Sequence, residues 1–205
     1  MKILRISALI GLLAARPALA AEAGDLVFTE RAPWDLYDGP VIWTISQQGP
    51  EAEGFTPLGQ GTITLSQTID RSDGKPVLEL EEETTRISRK IGPFPVSGGD
   101  PSLTFFLETV ARDMAALTGG SPFYIRNRIK EALFRGGEVV TRDGQRIASF
   151  RPFADDPSRE RMYGFDSLTL RFVLDDPSTP IRQMLAETGP LAGDRPAYRN
   201  EMVLQ

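Results

Sequence analysis

DPSLTFFLETVARDMAALTGGSP, residues 100–122, is where the hydrophobic period of this 205-residue chain changes. Leu103, Phe106, Leu107, Val110, Met114 and Leu117 recur there at i, i+3, i+4, i+7, i+11 and i+14. On a helical wheel they lie within about 100° of one another, the stripe of an amphipathic helix. Asp100 before Pro101 supplies a side-chain cap and a residue whose missing N–H costs nothing in the first turn. Gly119-Gly120 supplies the stop, and Ser121-Pro122 repeats the start at once. The junction predicts two consecutive helices with a sharp corner between them.

On the N-terminal side the period is 2. Val41–Ser46 is a β-type run with Val41, Trp43 and Ile45 on one face. Gly61–Gln67 and Pro76–Glu82 alternate around the turn Asp73-Gly74, with Ile63, Leu65, Leu78 and Leu80 inward and Thr62, Thr64, Glu79 and Glu81 outward. Two alternating runs around a turn read as an antiparallel hairpin. Thr84–Ile91 is expected to be a further strand, closed by Gly92-Pro-Phe-Pro95, and residues 22–39 read as an irregular lead-in.

On the C-terminal side the strand period returns. Glu138–Arg142 and Gln145–Phe150 flank Asp143-Gly144, a pair suited to a two-residue type I′ turn. Ser167–Val173 alternates, Pro180–Glu187 reads as a short helix, and Ala197–Leu204 reads as the last strand. The fold class expected is α+β: a curved antiparallel β-sheet of about six to eight strands, wet on one face and packed on a central helical hairpin. No linker, charge block or repeat divides the chain, so residues 21–205 are expected to form a single domain.

The first twenty residues read differently. Met1–Arg5 is basic, Ile6–Ala15 is small or apolar, and Ala18-Leu-Ala20 gives a small-x-small cleavage pattern before Ala21. That is the three-part layout of a secretory signal peptide. Its removal takes Lys2, Arg5 and Arg16, leaving 20 basic against 28 acidic side chains, net −8. A chain of that charge is poorly suited to neutralising phosphates, so nucleic acid is not an expected partner. No later segment carries the run of about eighteen apolar residues that a membrane-spanning helix needs. There is no cysteine and no Asn-x-Ser/Thr sequon, and both absences suit a bacterial periplasm. The chain also has no histidine, which excludes a Ser-His-Asp triad, a Cys-His pair and ordinary zinc ligation within it.

Several short patterns invite chemistry and have a plainer alternative. Ser72-Asp-Gly-Lys75 has the spacing of a Ser-x-x-Lys nucleophile, but Asp-Gly and the following Pro76 suit a hairpin turn. Asp-Asp-Pro-Ser occurs at 155–158 and again at 175–178, either as carboxylates for a hard cation or as turn chemistry. Glu79, Glu81, Glu82 and Glu83 with Trp34, Tyr37 and Trp43 could make a carbohydrate site, or a solvated strand face and an apolar plug.

The strongest candidate is Ser121–Leu133. On a helical wheel Ile125, Ile129, Ala132 and Leu133 form a narrow stripe and the remainder is mostly basic. Residues 121–135 carry Arg126, Arg128, Lys130 and Arg135 against Glu131, net +3 in an acidic chain. One reading is a surface helix whose cations pair with the acidic sheet, Glu79–Glu83 included. The other is a binding site for an anionic ligand, a lipid headgroup or an envelope protein. Its contact residues would be Phe123, Tyr124, Arg126, Arg128 and Lys130.

The expected architecture, a curved antiparallel sheet around helices, resembles that of the periplasmic carriers of lipoproteins. The resemblance lies in layout alone and implies an apolar cleft between sheet and helices. Three functions follow as expectations. The first is an exported, periplasmic, non-enzymatic protein binding an apolar or anionic ligand or an envelope partner, with no cofactor. The second is a carboxylate-dependent secreted hydrolase acting on carbohydrate. The third is a structural accessory subunit docking through its basic helix.

Overall fold

The computed structural model describes the backbone of residues 18–205 and the side chains of residues 22–205. Residues 1–17, most of the expected export leader, lie outside the described residues. The lead-in is not irregular throughout. Helix α1 runs Ala18–Val27, so the expected cleavage point after Ala20 falls in its first turn. Ala23, Leu26 and Val27, which enter the core, all follow that point.

Nine strands follow: β1 Val41–Gln48, β2 Gly59–Ile69, β3 Pro76–Thr84, β4 Ser88–Pro95, β5 Glu138–Arg142, β6 Gln145–Phe150, β7 Thr169–Leu174, β8 Gln183–Glu187 and β9 Arg199–Leu204. They form one open sheet in the order β4-β3-β2-β1-β9-β8-β7-β6-β5, and every neighbouring pair is antiparallel. Helices α2, Pro101–Thr118, and α3, Pro122–Arg135, carry the chain from the β4 edge to the β5 edge.

The count exceeds the expected six to eight, and one segment changes type. Pro180–Glu187 is not a helix: Gln183–Glu187 is strand β8, paired on both sides by β7 and β9. Gln-Met-Leu-Ala-Glu favours a helix by propensity, but two waiting ladders and burial of Met184, Leu185 and Ala186 override that preference. Strand β4 also continues through Gly92-Pro-Phe-Pro95 instead of closing there. A proline is tolerated because β4 is an edge strand and one side of its backbone needs no donor.

The inner face of the sheet carries Trp43, Ile45, Ile63, Leu65, Leu80, Phe150, Phe172 and Met202, all buried in one continuous core. Against it α2 presents Leu103, Phe106, Val110, Met114 and Leu117. Phe106 meets Phe172 edge to face, with ring centroids 6.1 Å apart. The caps are as the residues require. Asp100 Oδ1 accepts from the amides of Ser102 (3.0 Å) and Leu103 (3.1 Å), and Gly119 ends α2 in the left-handed conformation at φ 68°. Helix α3 buries Ile125, Ile129 and Leu133 and lies against α2 and α1.

Candidate functional site

The five candidate residues on α3 part into two groups. Tyr124 and Arg128 converge on Asp156, the second acid of the first Asp-Asp-Pro-Ser. The Tyr124 hydroxyl donates to Asp156 Oδ1 (2.8 Å) and Arg128 Nε donates to Oδ2 (2.6 Å). The Ser158 amide adds a third bond at 2.8 Å. Burial pushes the Asp156 carboxyl up, but these three donors outweigh it and hold it below the ordinary aspartate range. The carboxylate is 0% exposed, so it pins α3 to the loop after β6.

Arg126, Lys130 and Phe123 stand apart. Arg126 grips Glu108 of α2 through two nitrogens, and that pairing raises its affinity for its proton. Lys130 has no acidic partner among the described residues. Phe123 is 68% exposed at the first turn. None of these cations meets the acidic strand. Glu79 pairs with Lys90 and Glu82 with Arg89, both within the β3–β4 pair.

Beside Arg126 and Lys130 a groove of about 400 Å³ opens between the two helices. Leu107 from α2 and Ile129 and Leu133 from α3 line it with apolar surface. Phe28, just beyond α1, and Phe134 also line it and stack on each other at 5.0 Å with planes 5° apart. Both rings keep about half their surface in water: Phe28 is 40% and Phe134 56% exposed. The charged groups at the groove are Glu108, Arg126 and Lys130, an excess of one positive charge. The volume falls within the range of small-ligand sites.

Away from the groove, α2 carries a polar contact with the sheet. Asp113 Oδ2 accepts from Tyr198 Oη (2.7 Å) and Gln47 Nε2 (2.8 Å), while Gln47 Oε1 accepts from the Leu58 amide (3.0 Å). Burial raises the Asp113 carboxyl to about 6 against the pull of those two bonds, with nearby Glu82 adding to the rise. Glu82 is itself 1% exposed and held by Arg89 at 2.6 Å. Another buried charge, Arg31, binds the carbonyls of Val27, Thr29 and Thr179 and approaches Asp100 at 3.6 Å. It ties the lead-in to the cap of α2.

The remaining candidates resolve into structure. Ser72 and Lys75 lie in the β2–β3 turn, where Asp70 Oδ1 accepts from the Ser72 amide (2.7 Å) and Lys75 pairs with Asp73 (3.0 Å). Asp176 caps its own turn by accepting from the Ser178 amide. Among the described residues no group of three or more acids is placed to hold a metal ion. Trp34 and Trp43 are buried, each donating its indole N–H to a carbonyl, of Gly99 and Ile181 respectively, so they plug the core and offer no sugar platform. Tyr37 alone of that trio is exposed.

Sequence reasoning missed Asp113, Gln47 and Tyr198, and it missed the Phe28–Phe134 stack. A signal for the first existed: Asp113 follows Phe106 by seven residues and so falls about 20° from it on the wheel, inside the apolar stripe. The aromatic stack joins residues 106 positions apart and left no local trace. No family model, curated protein or solved structure matches the chain.

Proposed function

We propose that this is an exported, periplasmic, non-enzymatic protein that holds an amphipathic anion in the groove between α2 and α3. The observation that carries the reading is Lys130, a cation without an acidic partner among the described residues, beside apolar lining in a chain of net charge −5, or −8 without its first twenty residues. An apolar chain would lie on Leu107, Ile129 and Leu133 with its acidic end at Lys130. The reading also takes the sheet to curve around the helical hairpin and so to back the groove.

A fluorescent long-chain fatty acid tests it. The protein should bind the probe saturably, and Lys130→Glu should weaken binding roughly tenfold or more by replacing attraction with repulsion. Phe134→Ala should weaken it as well. No saturable binding, or binding indifferent to both substitutions, overturns the reading. Export is tested separately: the mature protein from a periplasmic fraction should begin at Ala21.

A further inference from the structure

The two edges of the sheet are built differently. Strand β4 carries Arg89, Lys90, Pro93 and Pro95 and meets β3 through a register shift between Leu78 and Leu80. Charges of one sign, prolines and bulges are among the devices that stop an edge from pairing with another chain. Strand β5, Glu138-Val-Val-Thr-Arg142, has no proline and no register shift. Among the described residues no backbone hydrogen bond reaches it except from β6. Val140 is 56% exposed.

The order of residues in β5 is self-complementary. Alternation places Glu138, Val140 and Arg142 on one face, the outer face that Val140 shares with Ile147 and Val173 across β6 and β7. An antiparallel copy set about a two-fold axis at Val140 brings Val140 against Val140 of the partner subunit. The same register brings Glu138 against Arg142 of the partner subunit, twice. Glu138 has no ion pair among the described residues, and Arg142 only approaches its neighbour Asp143 at 3.8 Å. A parallel arrangement would instead set like charges together, and pairing β5 with β4 of another copy would meet the prolines and fail to close.

We infer that β5 is a homodimer interface, in which two copies pair antiparallel about Val140 and join their nine-stranded sheets into one. Five residues per copy make a small contact, so the dimer dissociates on dilution. Cross-strand apolar and opposite-charge pairs supply its affinity.

Sedimentation equilibrium on the full mature chain, over a concentration series reaching about 1 mM, reads the outcome. The native chain should pass from monomer to dimer. Glu138→Arg and Arg142→Glu should each raise the dissociation constant roughly tenfold or more, because each sets like charges opposite one another at both ends of the pairing. An equimolar mixture of these two variants should regain the dimer, since each then supplies the charge that the other lacks. Val140→Lys, which sets two ammonium groups at the axis, should be monomeric and is the second break point if a charge change disturbs the hairpin. A native chain that stays monomeric throughout, or a dimer untouched by all three substitutions, overturns the interface. Neither result bears on the groove, which lies between the helices.

Discussion

Helices α2 and α3 share a corner and an N-terminal capping scheme, yet they live in different surroundings. Of the 18 residues of α2, eight are buried; of the 14 of α3, only three are. The difference follows the width of their apolar stripes, which burial rewards in proportion to area. Their charged groups differ as well. Asp113 on α2 points into the sheet and is held by Tyr198 and Gln47. The cations of α3 stay at the surface, and only those that find a carboxylate are fastened. One helix is thus the spine of the fold, while the other keeps most of its side chains at the surface.

Truncation on the spine should have the largest effect. Phe106 is fully buried and packs on Phe172. Phe106→Ala should cost roughly 3–5 kcal/mol, the sum of lost transfer energy and a cavity. Chemical denaturation reads this as a lower midpoint at unchanged slope. A loss below about 1 kcal/mol would show that α2 is not the element holding the sheet face.

The polar contact of the same helix makes a pH prediction of a definite sign. Between the ordinary aspartate value of 3.8 and about 6, the unfolded chain releases the Asp113 proton while the folded chain keeps it. The folded state then binds more protons, so this contribution to stability is full at low pH, falls as pH rises through the window, and is level above it. The two values bound the effect at roughly 3 kcal/mol. Asp70, Asp156 and Asp176 are shifted downward, so their contributions are lost below the window and do not cancel it. Melting at pH 5 should therefore occur several degrees above melting at pH 7.5, and Asp113→Asn should flatten that difference.

The contrast between the helices also explains what the sequence disclosed. Period, caps and turn residues are local, so the corner at Gly119–Pro122 and the turn at Asp143-Gly144 were legible. Glu82 continues the inward series of Leu78 and Leu80, and Gln47 that of Trp43 and Ile45, so both buried polar groups lay on the core side of a visible alternation. Their burial went against expectation because polar residues near a strand end are ordinarily solvated. Strand β8 was illegible for another reason: its type is set by β7 and β9 on either side, not by its own five residues. Which cations of α3 would be free was illegible too. Arg128 is fastened by Asp156, 28 residues away, and no pattern in the helix distinguishes it from Lys130.

That last pair gives the smallest and most discriminating test. Arg128→Ala removes the charged partner of a carboxylate that is 0% exposed, leaving Asp156 with only the Tyr124 hydroxyl and the Ser158 amide. A hydrogen bond to a charged group is worth about 1.5–3 kcal/mol, and roughly 2 kcal/mol should be lost here. Lys130→Ala, two residues on, breaks no ion pair among the described residues and should stay within about 0.5 kcal/mol. Binding should reverse the order: Lys130→Ala weakens the acidic probe, while Arg128→Ala leaves it nearly unchanged wherever the chain is folded. Equal stability losses at the two positions would mean that Lys130 is fastened as firmly as Arg128. The division of α3 into a pinned face, Tyr124 and Arg128, and a face whose Lys130 is free of acidic partners among the described residues would then fail.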